Sequence, residues 1–162
     1  MGGFMKQGKI TLLKVAVYVI GVVILCLCIF ALPSLAKDSA QMNPEFAYLQ
    51  YPVLIGLYLT AIPFYYALYQ ALKLLSYIEN NNAFSELAVN TLGTIKHCAS
   101  IISVLYVLGM IILGTQNALH PGIAIIGLVI VLTSIVILLF TAVLQELLKN
   151  VLKIKSENDL TI

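Results

Sequence analysis

The sequence has little charge. It contains no arginine and no tryptophan, and nine lysines with seven aspartates or glutamates are its only formally charged side chains. Charged residues make up 10% of the 162 residues, whereas soluble domains have about 25%. Direct binding of nucleic acid needs a dense basic surface, and a disordered chain needs high charge with low hydrophobicity. Both classes are excluded, and a soluble enzyme does not fit this composition.

The residues that usually carry chemistry are also scarce. The three cysteines, Cys26, Cys28 and Cys98, form no CxxC pair, so the zinc and redox patterns are absent. The two histidines, His97 and His120, lie at opposite ends of one apolar segment. No Asp, Glu or Lys lies inside an apolar run, and such residues usually mark ion-coupled transport. The sequence therefore predicts no enzyme, no catalytic residue, no metal site and no cofactor.

Long apolar runs are what the sequence does have. Hydrophobic residues make up 61% of the chain, and the mean hydropathy is +1.02. Uncharged runs cover residues 15–36, 46–72 and 97–145, and a helix needs roughly 20 apolar residues to cross a bilayer. The third run is long enough for two helices, and turn-forming residues at 114–122 divide it. The first exceeds the 7–15 residues of a signal-peptide core, so we expect it to be retained.

These runs predict an all-α membrane protein with one domain over residues 1–162. Four transmembrane helices near 12–36, 48–75, 98–116 and 121–145 should form an antiparallel bundle. Lysines near the spans indicate the orientation. Eight of the nine fall on one side, and only Lys37 falls on the other. Both termini are therefore expected in the cytoplasm.

The second span is rich in tyrosine. Tyr51, Tyr58, Tyr65 and Tyr69 recur at helical spacing. Since a buried phenol needs a hydrogen-bond partner, the two deep ones, Tyr58 and Tyr65, should face other helices. One interpretation is packing inside the bundle. The other is a polar cavity for a small ligand, lined by Tyr58, Tyr65, Tyr69 and Gln70.

Span four has small side chains at heptad spacing. Gly127, Ser134 and Thr141 are seven residues apart, a spacing that lets neighbouring backbones approach closely. We interpret these three residues as a helix-packing seam.

The segment before span three predicts an amphipathic helix over about 84–96 that runs into that span. Asn82 or Ser85 can cap it, and Glu86 suits its positive first turn. This helix either lies on the membrane surface or offers a docking face to a cytosolic partner. The residues of the predicted docking face are Asn82, Phe84, Ser85, Glu86, Lys149 and Lys153.

Several short stretches resemble one family of small bacterial membrane proteins. They are Pro44-Glu45-Phe46-Ala47-Tyr48-Leu49, residues 58–73, Ala83-Phe84-Ser85, and Ile154-Lys155-Ser156-Glu157-Asn158-Asp159-Leu160-Thr161. On these residues the chain is similar, over nearly its whole length, to the family catalogued as domain of unknown function 2975. The resemblance implies a bacterial plasma membrane. It also implies a link to small helix-turn-helix regulators, beside which relatives are encoded.

Two functions are consistent with these observations. The first is a non-enzymatic regulator or sensor that binds a cytosolic protein, such as a small helix-turn-helix transcription factor. The alternative is the handling of a small molecule or peptide by the tyrosine-rich span, as in an exporter subunit or an immunity protein. The expected partners are the lipid bilayer and a cytosolic regulator, and no feature indicates a homo-oligomer.

The lysine distribution gives a topology prediction. Reporters fused after Ile162 should be active in the cytoplasm, and reporters fused near Asn43 should be active outside the cell. Paired fusions to a cytoplasmic and an extracytoplasmic reporter enzyme measure both positions. A fusion at Ile162 that is active only outside the cell would contradict the orientation.

Overall fold

A computed structural model describes residues 2–161, and this part of the chain is helical without any strand. The first helix, α1 (Gly2–Cys26), continues through one π-helical turn (Leu27–Ala31) into α2 (Leu32–Met42). A 3-10 turn (Pro44–Leu49) leads into α3 (Gln50–Glu79). Two long helices follow, α4 (Glu86–Thr115) and α5 (Pro121–Leu160).

Four helical segments in residues 2–161 are long and apolar enough to cross a membrane. They are Gly2–Met42, Pro44–Glu79, Glu86–Thr115 and Pro121–Leu160. The prediction of four helical spans is confirmed. The side of the membrane on which the termini lie is not fixed by these helices.

The helices are longer than the predicted spans. The 40 residues of α5 extend for about 60 Å at 1.5 Å per residue, about twice the thickness of the hydrocarbon core. The excess lies where the apolar run ends, because residues 146–160 contain no glycine or proline to stop the helix. We call this end of the protein, where Lys14, Lys73, Lys96 and Lys149 lie, the lysine-rich end.

The segment between the first two predicted spans begins as a helix. α2 continues the first helix as far as Met42, with Pro33 in its first turn, where the missing N–H of proline costs nothing. The helix ends at Asn43, whose φ of −128° and ψ of 75° are non-helical. Pro44 explains this ending, because a proline disfavours the α conformation in the residue before it.

Helices that are adjacent in the chain pack on each other. The most extensive contact joins α4 to α5, followed by α3 to α4 and then α1 to α3. Across residues 2–161, no comparable contact joins α1 to α5. The last three helices therefore form the packed body of the protein, and α1 attaches to one side of it through α3.

The contact between α4 and α5 uses the small residues of span four. Gly127, Ser134 and Thr141 all lie on the buried side of α5. A Cβ atom at Gly127 would lie 2.6 Å from the sulfur of Met110 on α4. This distance is well below van der Waals contact, so a larger residue at position 127 would force the side chain of Met110 to move.

The main cluster of buried apolar residues lies at the lysine-rich end. Ala88, Val89 and Leu92 of α4 pack with Leu148 of α5, and Leu74, Tyr77 and Leu152 lie against them. The predicted helix over 84–96 thus forms the first turns of α4, beginning at Glu86. Its buried residues Ala88, Val89 and Leu92 pack against α3 and α5, so the segment lengthens the bundle, and Leu87 stays exposed.

We predict that Gly127→Leu destabilises the protein by about 1–3 kcal/mol, the usual cost of overpacking, because the new side chain would displace Met110. Gly109→Leu is the matched control, since a Cβ atom at Gly109 has no neighbour within 4 Å. Unfolding in a mild detergent measures both variants. Equal losses of stability would contradict the assignment of Gly127 to a close helix contact.

Candidate functional site

Two tyrosines of α3 form hydrogen bonds to the first helix. The hydroxyl of Tyr58 donates to the carbonyl oxygen of Cys28 at 2.7 Å. The hydroxyl of Tyr65 donates to the carbonyl oxygen of Gly21, also at 2.7 Å. The donors and the acceptors are both seven residues apart, so the two bonds repeat one antiparallel register of α1 against α3.

The carbonyl of Cys28 can accept a hydrogen bond from Tyr58 because the backbone hydrogen bonding of the helix changes from the α to the π pattern there. In an α-helix the N–H of Leu32 would donate to this oxygen. In the π-helical turn it donates to Leu27 instead. The next residue, Pro33, has no N–H, so the hydroxyl of Tyr58 replaces the missing backbone donor.

The other two residues of the predicted pocket lie elsewhere. Tyr69 is 55% exposed, and its ring stacks on that of Tyr66 with the centroids 6.5 Å apart. The side chain of Gln70 is only 6% exposed. Tyr69 forms no hydrogen bond to α1 within residues 2–161. The structure therefore brings Tyr58 and Tyr65 together at α1 and leaves Tyr69 outside this contact.

A second set of contacts joins α1 to the end of α3 at the lysine-rich end. Glu79 accepts hydrogen bonds from Lys14, which also forms an ion pair with it, and from Nε2 of Gln7 at 3.3 Å. The Lys14 ammonium lowers the pKa of the Glu79 carboxyl, which lies beyond the apolar part of the span. The ion pair is therefore complete at neutral pH and is lost only as the pH falls through that lowered pKa. No sequence pattern indicates this pair, because 65 residues separate the two side chains.

A groove runs between the start of α4 and the end of α5. Its volume is about 330 Å³, and its lining residues are Glu86, Val89, Asn90, Lys149 and Leu152. We call it the α4–α5 groove. Two of the predicted docking residues, Glu86 and Lys149, lie in its wall. A second cavity of about 150 Å³ lies at the same end of the protein, between α1 and the end of α3.

The other predicted docking residues lie around the groove. Phe84 is 61% exposed, and Lys153 is exposed one turn beyond Lys149. Ser85 is the N-cap of α4, as the sequence suggested. Its hydroxyl oxygen accepts the N–H of Ala88 at 3.3 Å and donates to the carbonyl of Asn82 at 2.7 Å.

A polar clamp holds the two walls of the groove. Nε2 of Gln145 donates to the carbonyl of Val89 at 3.1 Å, and Nζ of Lys96 donates to Oε1 of Gln145 at 3.0 Å. The amide of Gln145 fits against α4 because position 93 is glycine, where a Cβ atom would lie 2.7 Å from Nε2. Sequence reasoning missed this clamp, since neither Gly93 nor Gln145 belongs to a recognisable motif.

The cysteines do not come together. All three are free, and Cys26 is exposed, Cys28 is half-buried and Cys98 is buried. Within residues 2–161, no three His, Cys, Asp or Glu side chains lie close enough to hold a metal ion.

These features define a helical membrane protein with several spans, whose polar side chains gather at one end. Over residues 34–162 the chain matches the family described as protein of unknown function DUF2975, and it belongs to that family. It is also 52% identical over 160 residues to the uncharacterized membrane protein YoaS of Bacillus subtilis (strain 168), covering 98% of this chain and 100% of the relative. No solved structure matches the chain.

We predict that Tyr58→Phe and Tyr65→Phe each destabilise the protein by about 0.5–1.5 kcal/mol, the net value of one hydrogen bond. Both variants keep the ring and remove only the donor to α1. Tyr51→Phe is the control, since Tyr51 is exposed and its hydroxyl bonds to no residue in the range 2–161. Thermal unfolding in detergent compares the three, and a loss at Tyr51 equal to that at Tyr58 would contradict the assignment.

Proposed function

We propose that this protein is a non-enzymatic regulator in the bacterial plasma membrane that binds a cytosolic protein at its lysine-rich end. In this proposal both termini are cytoplasmic, as the lysine distribution indicates. The observation that carries the proposal is the α4–α5 groove, which lies beyond the apolar parts of two helices that remain packed together there.

The two helices extend far enough to form a platform outside the membrane. Residues 86–96 of α4 extend for about 16 Å, and residues 146–160 of α5 for about 22 Å, at 1.5 Å per residue. The buried cluster of Ala88, Val89, Leu92 and Leu148 holds them together. A surface that is rigid before it binds loses less entropy on association, so this platform favours recognition of a protein.

The chemistry of the surface also suits a protein partner. Phe84 and Leu87 are exposed apolar side chains close in the chain to the groove residue Glu86, and Glu86 and Lys149 place both signs of charge in the groove wall. An aromatic centre with a polar rim is typical of protein interfaces, and a groove between two helices can accept an amphipathic helix. A small helix-turn-helix regulator, the partner that the family resemblance implies, consists of helices of this kind.

The ligand-handling alternative has less support from the second span. The hydroxyls of Tyr58 and Tyr65 are engaged by backbone carbonyls of the first helix. Tyr69 is exposed and stacks on Tyr66. The two tyrosines placed deepest in the span therefore act as fasteners of α1, which leaves fewer polar groups free for a ligand there.

We predict that Phe84→Glu combined with Lys149→Glu releases a bound helix-turn-helix regulator from the membrane. The first change places a charge where the interface should be apolar, and the second reverses the charge of Lys149, the cation among the described residues that line the groove. Loss of two central contacts usually costs at least about 2 kcal/mol, so the membrane-bound fraction should fall at least about tenfold. Tagged candidate regulators, followed by membrane fractionation, measure this change.

The control for this experiment is Phe4→Glu, an exposed phenylalanine on α1 at the same end of the protein. It should leave the regulator at the membrane. A photoreactive residue at Asn90, which lines the groove, should cross-link to the regulator in the parent chain and not in the double variant. An unchanged distribution of every tested regulator, with the double variant still inserted, would contradict the proposal.

A further inference from the structure

An exposed stripe of α3 carries aromatic and basic side chains that none of the preceding sites uses. Ile62, Tyr66, Tyr69 and Lys73 are all exposed. They are three or four residues apart, so they lie along one face of the helix. This face is separate from the α4–α5 groove, and within residues 2–161 the hydrogen bonds to α1 come from Tyr58 and Tyr65 and not from the tyrosines of this stripe.

The polar tips of the stripe are close together and have no protein partner. The rings of Tyr66 and Tyr69 stack at an interplanar angle of 24°, and Nζ of Lys73 lies 5.9 Å from the centroid of the Tyr69 ring. Among residues 2–161, no carboxylate pairs with Lys73 and neither hydroxyl forms a hydrogen bond. Two hydroxyl donors and one ammonium are thus available together on an outer surface.

The depth of these groups matches the parts of a phospholipid. Lys73 is the first charged residue after the uncharged run 46–72, so it marks the boundary of the hydrocarbon core. Tyr69 and Tyr66 lie about 6 and 10 Å deeper along the helix, and Ile62 lies deeper still. From the boundary inwards the stripe offers an ammonium, two phenols and an apolar side chain, in the order of a phosphate, its glycerol esters and an acyl chain.

We propose that this stripe is a binding site for one anionic phospholipid. Lys73 pairs with the phosphodiester, the hydroxyls of Tyr66 and Tyr69 donate to phosphate or ester oxygens, and Ile62 contacts an acyl chain. The selectivity for an anionic lipid follows from charge. A zwitterionic headgroup would bring its own ammonium close to Lys73, whereas phosphatidylglycerol brings none. This proposal is independent of the regulatory function.

Native mass spectrometry of the full chain in mild detergent tests the site with phosphatidylglycerol and phosphatidylethanolamine of identical acyl chains. The parent chain should bind phosphatidylglycerol about fivefold more tightly, the effect of one lysine at an anionic surface. Lys73→Gln should abolish this preference, and Lys73→Arg should keep it. The double variant Tyr66→Phe and Tyr69→Phe should weaken binding of phosphatidylglycerol. Since Tyr66, Tyr69 and Lys73 are all exposed, these variants should leave the protein folded.

Two controls come from exposed side chains elsewhere. Lys9→Gln removes an exposed lysine at the same end, and Tyr51→Phe alters an exposed tyrosine at the opposite end of α3. Both should retain the preference for phosphatidylglycerol. The proposal is overturned if the parent chain shows no preference or if Lys9→Gln reduces it as much as Lys73→Gln. Competition by free glycerol phosphate at the same concentration as the lipid would also overturn it, because a soluble anion would then be the ligand.

Discussion

A backbone carbonyl inside a bilayer has no water to accept from, so it must find its donor within the protein. The first helix fails to supply one at Cys28, where a π-helical turn meets Pro33. The hydroxyl of Tyr58, on the neighbouring helix α3, supplies the missing hydrogen bond. This bond is one of several that hold α1 against α3, the long helix with which α1 makes its extensive contact within residues 2–161.

The same absence of water explains why the main apolar cluster lies at the lysine-rich end. Within the bilayer, lipid chains solvate apolar side chains as well as a protein interior does, so packing there uses small residues and close backbones. Gly127, Ser134 and Thr141 serve this purpose along α5. Beyond the bilayer, water again favours apolar burial, and there Val89 and Leu92 pack against Leu148. Along two continuous helices, the packing thus changes from close contact at small residues inside the bilayer to burial of larger apolar side chains outside it.

The sequence predicted the features that depend on local chemistry. Four spans followed from the length of the apolar runs, and the cap of α4 is Ser85, one of the two candidates that the sequence offered beside Asn82. The need of Tyr58 and Tyr65 for partners followed from the burial of phenols. Their acceptors are backbone carbonyls, however, and a carbonyl freed by a π-helical turn leaves no side-chain pattern to recognise.

Features that depend on distant residues or on the continuation of a helix were not predictable in this way. Lys14 and Glu79 meet only because α1 and α3 share one register. The clamp between Gln145 and the backbone of α4 needs the space at Gly93. The first span was expected to end near residue 36, yet the helix continues as α2 to Met42, since a helix that leaves the membrane can continue until a residue such as Asn43 before Pro44 stops it.

The bond between Tyr58 and Cys28 also has a consequence for biosynthesis. The donor is made 30 residues after its acceptor, and Tyr65 follows Gly21 by 44 residues. At about 5–20 residues per second, the ribosome supplies these donors some seconds after the first helix has emerged. During that interval the carbonyl of Cys28 needs another donor, which the insertion machinery or its water can provide. The first helix therefore enters the membrane with one backbone carbonyl lacking its donor in the protein, and the arrival of α3 supplies that donor.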